Sequence, residues 1–371
     1  MKRQRTFTIL GLTVCAVLFF HARGYSQRPA EWERTVEAAK KEGRVVIGIP
    51  ASPELRTALD AGMAKRWPEI QLEMIVGGGS VVARRILDEY RAGVRNFDLL
   101  ISGAPTPLGI LASGAAEPVE PYLILPEVKD PKQWWGGHIW GDNKSTKRFI
   151  YSFQAYLPDL IWYNTGLVKP EEVRSYDDLL LPKWKGKIGF LDPRIPGGGQ
   201  AIWAYLRMVK EEAYLRKLAE QDIMVSDNQR QLPEALAKGT LALTLGLSYY
   251  QYLPFIKAGL PVKPLPIPKE GINATTGSGS VTIIKNPPHP NATKVFVNWL
   301  LGKEGQEIFG KAMGQPTRRL DVDTRWMVEI GARAAKDFLS VDEYYRRQID
   351  LEDKFTTIWD PAGELARKLF K

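Results

Sequence analysis

Three kinds of residue in this chain of 371 residues stand where their type and spacing can do chemistry: a tyrosine pair, glycine turns that open helices, and polar side chains at strand ends. Tyr249-Tyr250 is the sharpest of them, because it follows the apolar run Thr240–Leu247 with only Ser248 between. Adjacent phenols can pack as an aromatic cluster, which Tyr252 would extend. They can also bind a hard and highly charged cation through phenolate oxygen, the metal displacing a proton whose free pKa is about 10. Pro196-Gly197-Gly198-Gly199-Gln200 precedes a helical run, so unpaired backbone N–H groups and the helix dipole favour a negative group there. Gly77-Gly78-Gly79-Ser80 offers a comparable turn earlier in the chain, while Ser52 and Ser102-Gly103 lie at other strand ends. Arg194 adds a guanidinium fork suited to carboxylate or phosphate. Each glycine alone can be turn geometry and nothing more. Taken together, glycine turns from two halves of the chain favour an anionic ligand or co-ligand.

Other chemistries lose their motifs on inspection. Gly77-Gly78-Gly79 lacks the Gly-Lys-Ser/Thr that a nucleotide-phosphate loop needs, and Gly277-Ser278-Gly279 precedes a strand where dinucleotide binding needs a helix. There is no Gly-x-Ser-x-Gly elbow, zinc-protease helix motif or Cys/His cluster. His138 and His289 sit in loop-like surroundings, and Trp134, Trp135 and Trp140 suit packing of a long connection better than stacking on a sugar.

The N-terminus reads as an export signal. Lys2, Arg3 and Arg5 precede an uncharged apolar run from Ile9 to Phe20, too short for a comfortable membrane span, and polar residues resume at His21. We expect residues 1–27 to be a signal peptide and the protein to be periplasmic. Removing them takes away four cationic side chains and no acid, so the net charge of +9 falls to +5. That weak field suits anionic ligands and carries no nucleic-acid signature. Cys15 is the only cysteine and lies in the signal, which leaves neither disulfides nor thiolate metal ligands afterwards.

The elements that must position these residues alternate. A helix is expected over Glu31–Glu42 with Gly43 as its stop, then a buried strand Arg44–Ile49, a helix Glu54–Trp67 and a strand Ile70–Val76. A helix Val81–Ala92 and a strand Asp98–Gly103 follow, then an irregular aromatic stretch from Glu117 to Ser145. Strands at Phe149–Phe153 and Leu160–Tyr163 lead into a second series: strand Lys187–Leu191, helix Gln200–Lys210, helix Gln231–Lys238 and strand Thr240–Leu247. The proline-rich Pro261–Pro268 reads as an interruption, Ser280–Lys285 as a strand, Asn291–Leu301 as a helix, and the chain from Asp321 as charged amphipathic helices. Two βα blocks imply two α/β units whose strand ends can face across a cleft.

Several pieces in serial order resemble a known family, the periplasmic solute-binding proteins of ABC importers with the type 2 fold, and within it the ferric-iron-binding branch. They are Glu42-Gly43-Arg44-Val45-Val46, Gly77–Ser80 before Arg84-Arg85-Ile86, Phe97-Asp98-Leu99-Leu100, Leu160–Asn164, Pro182–Ile188, Asp192-Pro193, Tyr249-Tyr250, Asn286–Ala292, Val297–Leu301 and Gly305-Gln306. The resemblance implies two α/β lobes, each a mixed sheet flanked by helices, joined at a hinge around an interlobe cleft. We expect residues 28–158 with 270–320 to form lobe 1, and residues 159–269 with 321–371 to form lobe 2 and the C-terminal helices.

The resemblance also implies a non-catalytic, monomeric receptor that hands a small-molecule or metal ligand to an ABC permease in the inner membrane. Tyr249 and Tyr250 match the branch's pair of phenolate ligands to Fe(III), and Gly197, Gly198, Gly199 and Gln200 match the turn that holds a synergistic carbonate or phosphate. Ser52, Gly79, Ser80, Ser102 and Arg194 complete the expected ligand contacts. The chain departs from the branch after its first strand: Pro50-Ala51-Ser52-Pro53-Glu54 carries no His or Tyr. Ferric iron with an anion leads the ligand expectation. A phosphorylated or carboxylated organic anion follows, and an enzyme on the same fold comes last.

Overall fold

A computed structural model describes residues 29–371, so the expected signal peptide lies outside the described residues. The first half of the chain builds one sheet. Helix α1 (Ala30–Glu42) buries Trp32, Val36 and Ala39 and stops at Gly43, whose φ of +73° returns the chain into strand β1 (Arg44–Ile49). Full burial of each larger apolar side chain contributes about 1.5–3 kcal/mol. Helix α2 (Pro53–Arg66), strand β2 (Gln71–Val76), helix α3 (Gly79–Arg91), strand β3 (Leu99–Ser102) and the short helix α4 (Leu108–Ala112) complete the run. β1 pairs in parallel with β2 from Arg44↔Gln71 to Ile49↔Val76, and on its other side with β3.

The irregular stretch contains β4 (Ala116–Glu117), the helical turn α5 (Pro126–Lys129) and β5 (Ile139–Trp140), and leads to β6 (Tyr151–Ser152) and β7 (Tyr156–Pro158). It is held by buried cations rather than by regular structure. Arg318, 1% exposed, donates to the carbonyls of Trp135, Gly137 and Ser152, and the Trp134 ring lies 5.5 Å from its guanidinium. Trp134 and Trp140 both meet Tyr151 edge-on, and Trp135 meets Tyr344, so the three indoles are packing elements of this connection.

The second sheet is formed by β8 (Ile161–Asn164), β9 (Ile188–Leu191), β10 (Met224–Ser226), β11 (Leu243–Leu245) and β12 (Val262–Pro264), in the order β10-β9-β11-β8-β12. Between them run helices α6 (Gly198–Ala219), α7 (Gln231–Ala237) and α8 (Tyr249–Lys257). α6 is longer than the expected Gln200–Lys210 and breaks at Glu211, φ +64°. The proline-rich stretch is not a mere interruption. β12 lies inside it as an edge strand pairing with β8, a place where Pro264 forfeits no ladder bond it needs.

The chain then returns. β13 (Ser280–Ile284), buried throughout, runs antiparallel between β3 and β6 and closes the first sheet. Helices α9 (Pro290–Leu301) and α10 (Lys303–Met313) cover that sheet, α9 packing on α1 and α10 on α2. Buried Asn298 on α9 accepts from the N–H groups of Ile124 and Leu125 and donates to Tyr122, fastening the irregular stretch to the same core. Beyond residue 321 the expected run of helices is partly wrong: β14 (Ala332–Ala334) pairs with β7, and the one long amphipathic helix is Asp360–Leu369, which packs on α6. Strands buried on both faces and covered by helices give each sheet its own apolar core, one around Ile47, Leu59 and Phe296, the other around Ile161, Trp203 and Leu365. The architecture is two-lobed α/β, with connections crossing near β7 and residues 273–276.

Candidate functional site

Parallel strands leave their carboxyl ends on one edge of a sheet, and the helices that follow begin there. Both sheets turn that edge toward a common cleft of about 1770 Å³. Four helix N-termini line it: α2 at Ser52–Glu54, α3 at Gly77–Val81, α6 at Pro196–Gly198 and α8 at Ser248–Gln251. Two of the four are capped by their own side chains. The Ser52 hydroxyl accepts from the Leu55 N–H at 3.1 Å, and Ser248 and Gln251 form a reciprocal capping box with the Ser248 N–H 2.7 Å from Gln251 Oε1. The other two begin at Gly78 and Gly197, which have no side chain to cap with, so their first-turn N–H groups stay available to a negative group.

Glycine has a further duty at the second of these starts. A Cβ on Gly198 would collide with the carbonyl of Gly246, and one on Gly199 with the carbonyl of Leu191. α6 is thus seated backbone-on-backbone against the ends of β9 and β11. The lobes touch at the margin of the cleft: the Ser80 hydroxyl donates to the Pro196 carbonyl at 3.0 Å, and Lys257 Nζ lies 3.4 Å from Glu54 Oε1.

The expected site residues divide. Ser52, Gly79, Ser80, Ser102, Gly197, Gly198 and Tyr250 all line the cleft. Gly199 lies behind it and Gln200 is buried, donating to the Trp359 carbonyl at 2.9 Å. Arg194 stays outside: its guanidinium grips Asp192 at 2.7 Å and donates to the Phe370 carbonyl. Burial raises the Asp192 pKa, but the Arg194 hydrogen bonds and charge carry it below the ordinary value. The tyrosine pair is split because successive residues on a helix point about 100° apart. Tyr250 faces the cleft and is 7% exposed, while Tyr249 turns toward Trp162, 6.5 Å between ring centres, and fits against Gly314. Burial raises both phenols; nearby Glu54 adds to the rise at Tyr249, and for Tyr250 the neighbours Ser278 and Gln251 pull part of the way back. Among the described residues no three His, Cys, Asp or Glu side chains come together to hold a metal ion.

Sequence reasoning missed the floor of the cleft. Tyr156, Asn273, Thr275, Gln315, Asp350 and Trp359 line it, from segments as much as 203 residues apart. Tyr156 is 2% exposed and close enough to Tyr250 for the second phenol to help burial raise its pKa. No local pattern marks these residues; they meet because the crossover segments do. Arg56 and Arg230 stand exposed on the rim, but so do Asp60 and Asp227, so the rim charge is mixed and the helix ends carry the polarity of the site.

A family model for bacterial extracellular solute-binding proteins matches residues 52–307. Iron uptake protein A1 of Synechocystis sp. is 26% identical over 216 residues, an alignment covering 53% of this chain and 55% of that protein, so the chain spans just over half the length of that relative. Solved structures share the fold at low identity. AfuA of Actinobacillus pleuropneumoniae with fructose-6-phosphate bound superposes with a TM-score of 0.68 at 18% identity, over 88% of this chain and 99% of that one. Iron-bound HitA of Pseudomonas aeruginosa gives 0.63 at 18% identity over the same shares of 88% and 99%.

Proposed function

The chain belongs to the bacterial extracellular solute-binding proteins, and on that premise we propose that it captures a small organic anion between its lobes and delivers it to an ABC permease in the inner membrane. The observation that carries this reading is the convergence of four helix N-termini on one cleft, two of them opened by glycines without a side-chain cap. An anion on a partly buried helix N-terminus gains up to about 2 kcal/mol.

Binding and delivery then follow from lobe motion. A solute that contacts both α3 and α6 stabilises the closed form by the difference between its affinities for closed and open states. Ser80–Pro196 and Glu54–Lys257 join the two units at the cleft margin and would hold them in the closed form. Residues 28–158 with 270–320 move as one body and residues 159–269 with 321–371 as the other. The receptor is a periplasmic monomer, exported by residues 1–27, and it releases its solute chemically unchanged.

Ferric iron with carbonate or phosphate is the second reading, favoured by one observation: Tyr156 and Tyr250 bring two phenols together on the cleft wall. Against it, the Tyr249 ring lies outside the cleft, and Lys257 already neutralises Glu54, the carboxylate nearest to that tyrosine. Thermal melting and visible absorbance of residues 28–371 separate the two. Organic phosphates or carboxylates at a hundred times their Kd should stabilise the protein by about 2.7 kcal/mol without colour. Stabilisation by ferric citrate alone, with a new visible band lost in Tyr250→Phe, would overturn the anion reading in favour of iron.

A further inference from the structure

The floor of the cleft carries a second chemistry that the helix ends do not explain. Asp350 is 4% exposed and lines the cleft. Its Oδ2 accepts three hydrogen bonds, from Thr275 Oγ1 at 2.7 Å, the Thr276 N–H at 2.7 Å and Thr276 Oγ1 at 2.8 Å. Its Oδ1 is buried and meets no donor in the protein. Asn273, 1% exposed, lies two residues before Thr275 and also lines the cleft. Its amide nitrogen donates to the Ala274 carbonyl at 3.2 Å, and its Oδ1 likewise meets no donor.

These two atoms belong to one wall. Residues two apart on an extended segment share a face, and Ala274 bridges in parallel to Gln348, which brings the segment of Asp350 alongside. Burial raises the Asp350 pKa and the threonine donors oppose that rise, as expected for a carboxylate kept from water. Buried polar atoms in folded proteins are almost always hydrogen-bonded. Two unmet acceptors from adjoining segments of one binding cleft therefore ask for donors that arrive with the solute.

We infer that this wall is a hydroxyl-recognising subsite, and that the solute is a phosphorylated or carboxylated polyol whose hydroxyl groups donate to Asp350 Oδ1 and Asn273 Oδ1. The inference rests on the organic-anion reading and adds the uncharged half of the solute. The anionic end belongs on the N-termini of α3 and α6, elements separate from the crossover segment 273–276 and from the chain around Asp350. An ammonium group would suit a lone carboxylate. A carboxylate already holding three donors, beside a neutral amide oxygen, suits hydroxyls.

The test is calorimetric titration of residues 28–371 with glucose 6-phosphate, fructose 6-phosphate and gluconate, beside ethyl phosphate, hexanoate and aminoethyl phosphate as partners without a polyol. At least one polyol anion should bind about tenfold or more tighter than ethyl phosphate and hexanoate, because a site built for hydroxyls rejects analogues lacking them. Asp350→Asn keeps an oxygen for Thr275 and Thr276 and replaces the unmet oxygen with N–H groups. It should remove that preference, so that polyol anions weaken relative to ethyl phosphate. Asn273→Ala should act in the same direction, and it carries the test if Asp350→Asn melts early. Equal binding of polyol and simple anions, tightest binding of aminoethyl phosphate, or equal weakening of all of them by both variants would overturn the subsite while leaving an anion receptor. Binding of no anion in the panel would remove the anion reading and the subsite together.

Discussion

Placing an aspartate at Gly78 should make the protein more stable and a worse receptor. Gly78 precedes α3 with φ −60° and ψ 138°, which any L-residue adopts, and a Cβ there meets no heavy atom within 4 Å. Asp in place of Gly at such a position gains a few tenths of a kcal/mol from capping. Its charge gains about 0.3–1 kcal/mol more from the helix dipole, so the free energy of unfolding should rise by roughly 0.5–1 kcal/mol. Binding pays twice. The new carboxylate takes an N–H the solute would use, about 0.5–1.5 kcal/mol, and repels an anion some ~6 Å away by about 0.7–2.8 kcal/mol at an effective dielectric of ~80 to ~20. A middle value of the two together, about 2.7 kcal/mol, is roughly a hundredfold in Kd. Urea denaturation reads the first effect and calorimetry with the best-binding organic anion reads the second. Gly78→Ser, a cap without charge, should fall between. Unchanged anion affinity in a stabilised Gly78→Asp protein would refute the placement of the anion on α3, and tighter binding of Fe(III) would favour a metal cargo.

Gly198→Ala should cost about 1–3 kcal/mol in urea denaturation, because its Cβ meets the Gly246 backbone, which has no flexible end to move aside; a stability equal to wild type would contradict the seating of α6. Tyr249→Phe should leave solute affinity within about twofold, its ring lying outside the cleft, and a large loss on calorimetry would return that phenol to the site. Asp192 has its pKa lowered in the folded state, so its bond to Arg194 stabilises the protein above the unfolded carboxylate value of about 4 and is lost as pH falls through the lower folded value. Asp192→Asn should therefore flatten the acid limb of the stability profile below about pH 4, and an unchanged limb in pH-dependent urea melts would count against the pair.

The elements were largely legible, and the reasons are local. The strand Arg44–Ile49 lies where a short β-branched run predicts it, and Gly43 stops the preceding helix through a positive φ that glycine adopts without cost. The Ser248-Tyr249-Tyr250-Gln251 capping box fixes where α8 begins, and it also decides that the two phenols diverge, a consequence of helix geometry that the pairing of like residues conceals. The strand inside Pro261–Pro268 escaped notice because prolines argue against a strand until an edge position is known, and position in a sheet is a tertiary fact.

The site follows the same division. The sequence by itself determined that glycine turns open helices at strand ends and that the chain holds two βα blocks, since turn geometry and helix polarity depend on residues a few positions apart. Only the tertiary structure decided that Arg194 is spent on Asp192 and Phe370, and that Asn273, Thr275 and Asp350 share a wall with Tyr156 and Tyr250. Those neighbours come from segments with no periodicity of their own. They are brought together by the crossing of the chain between two cores, and burial far from their sequence neighbours leaves Asp350 Oδ1 and Asn273 Oδ1 without donors.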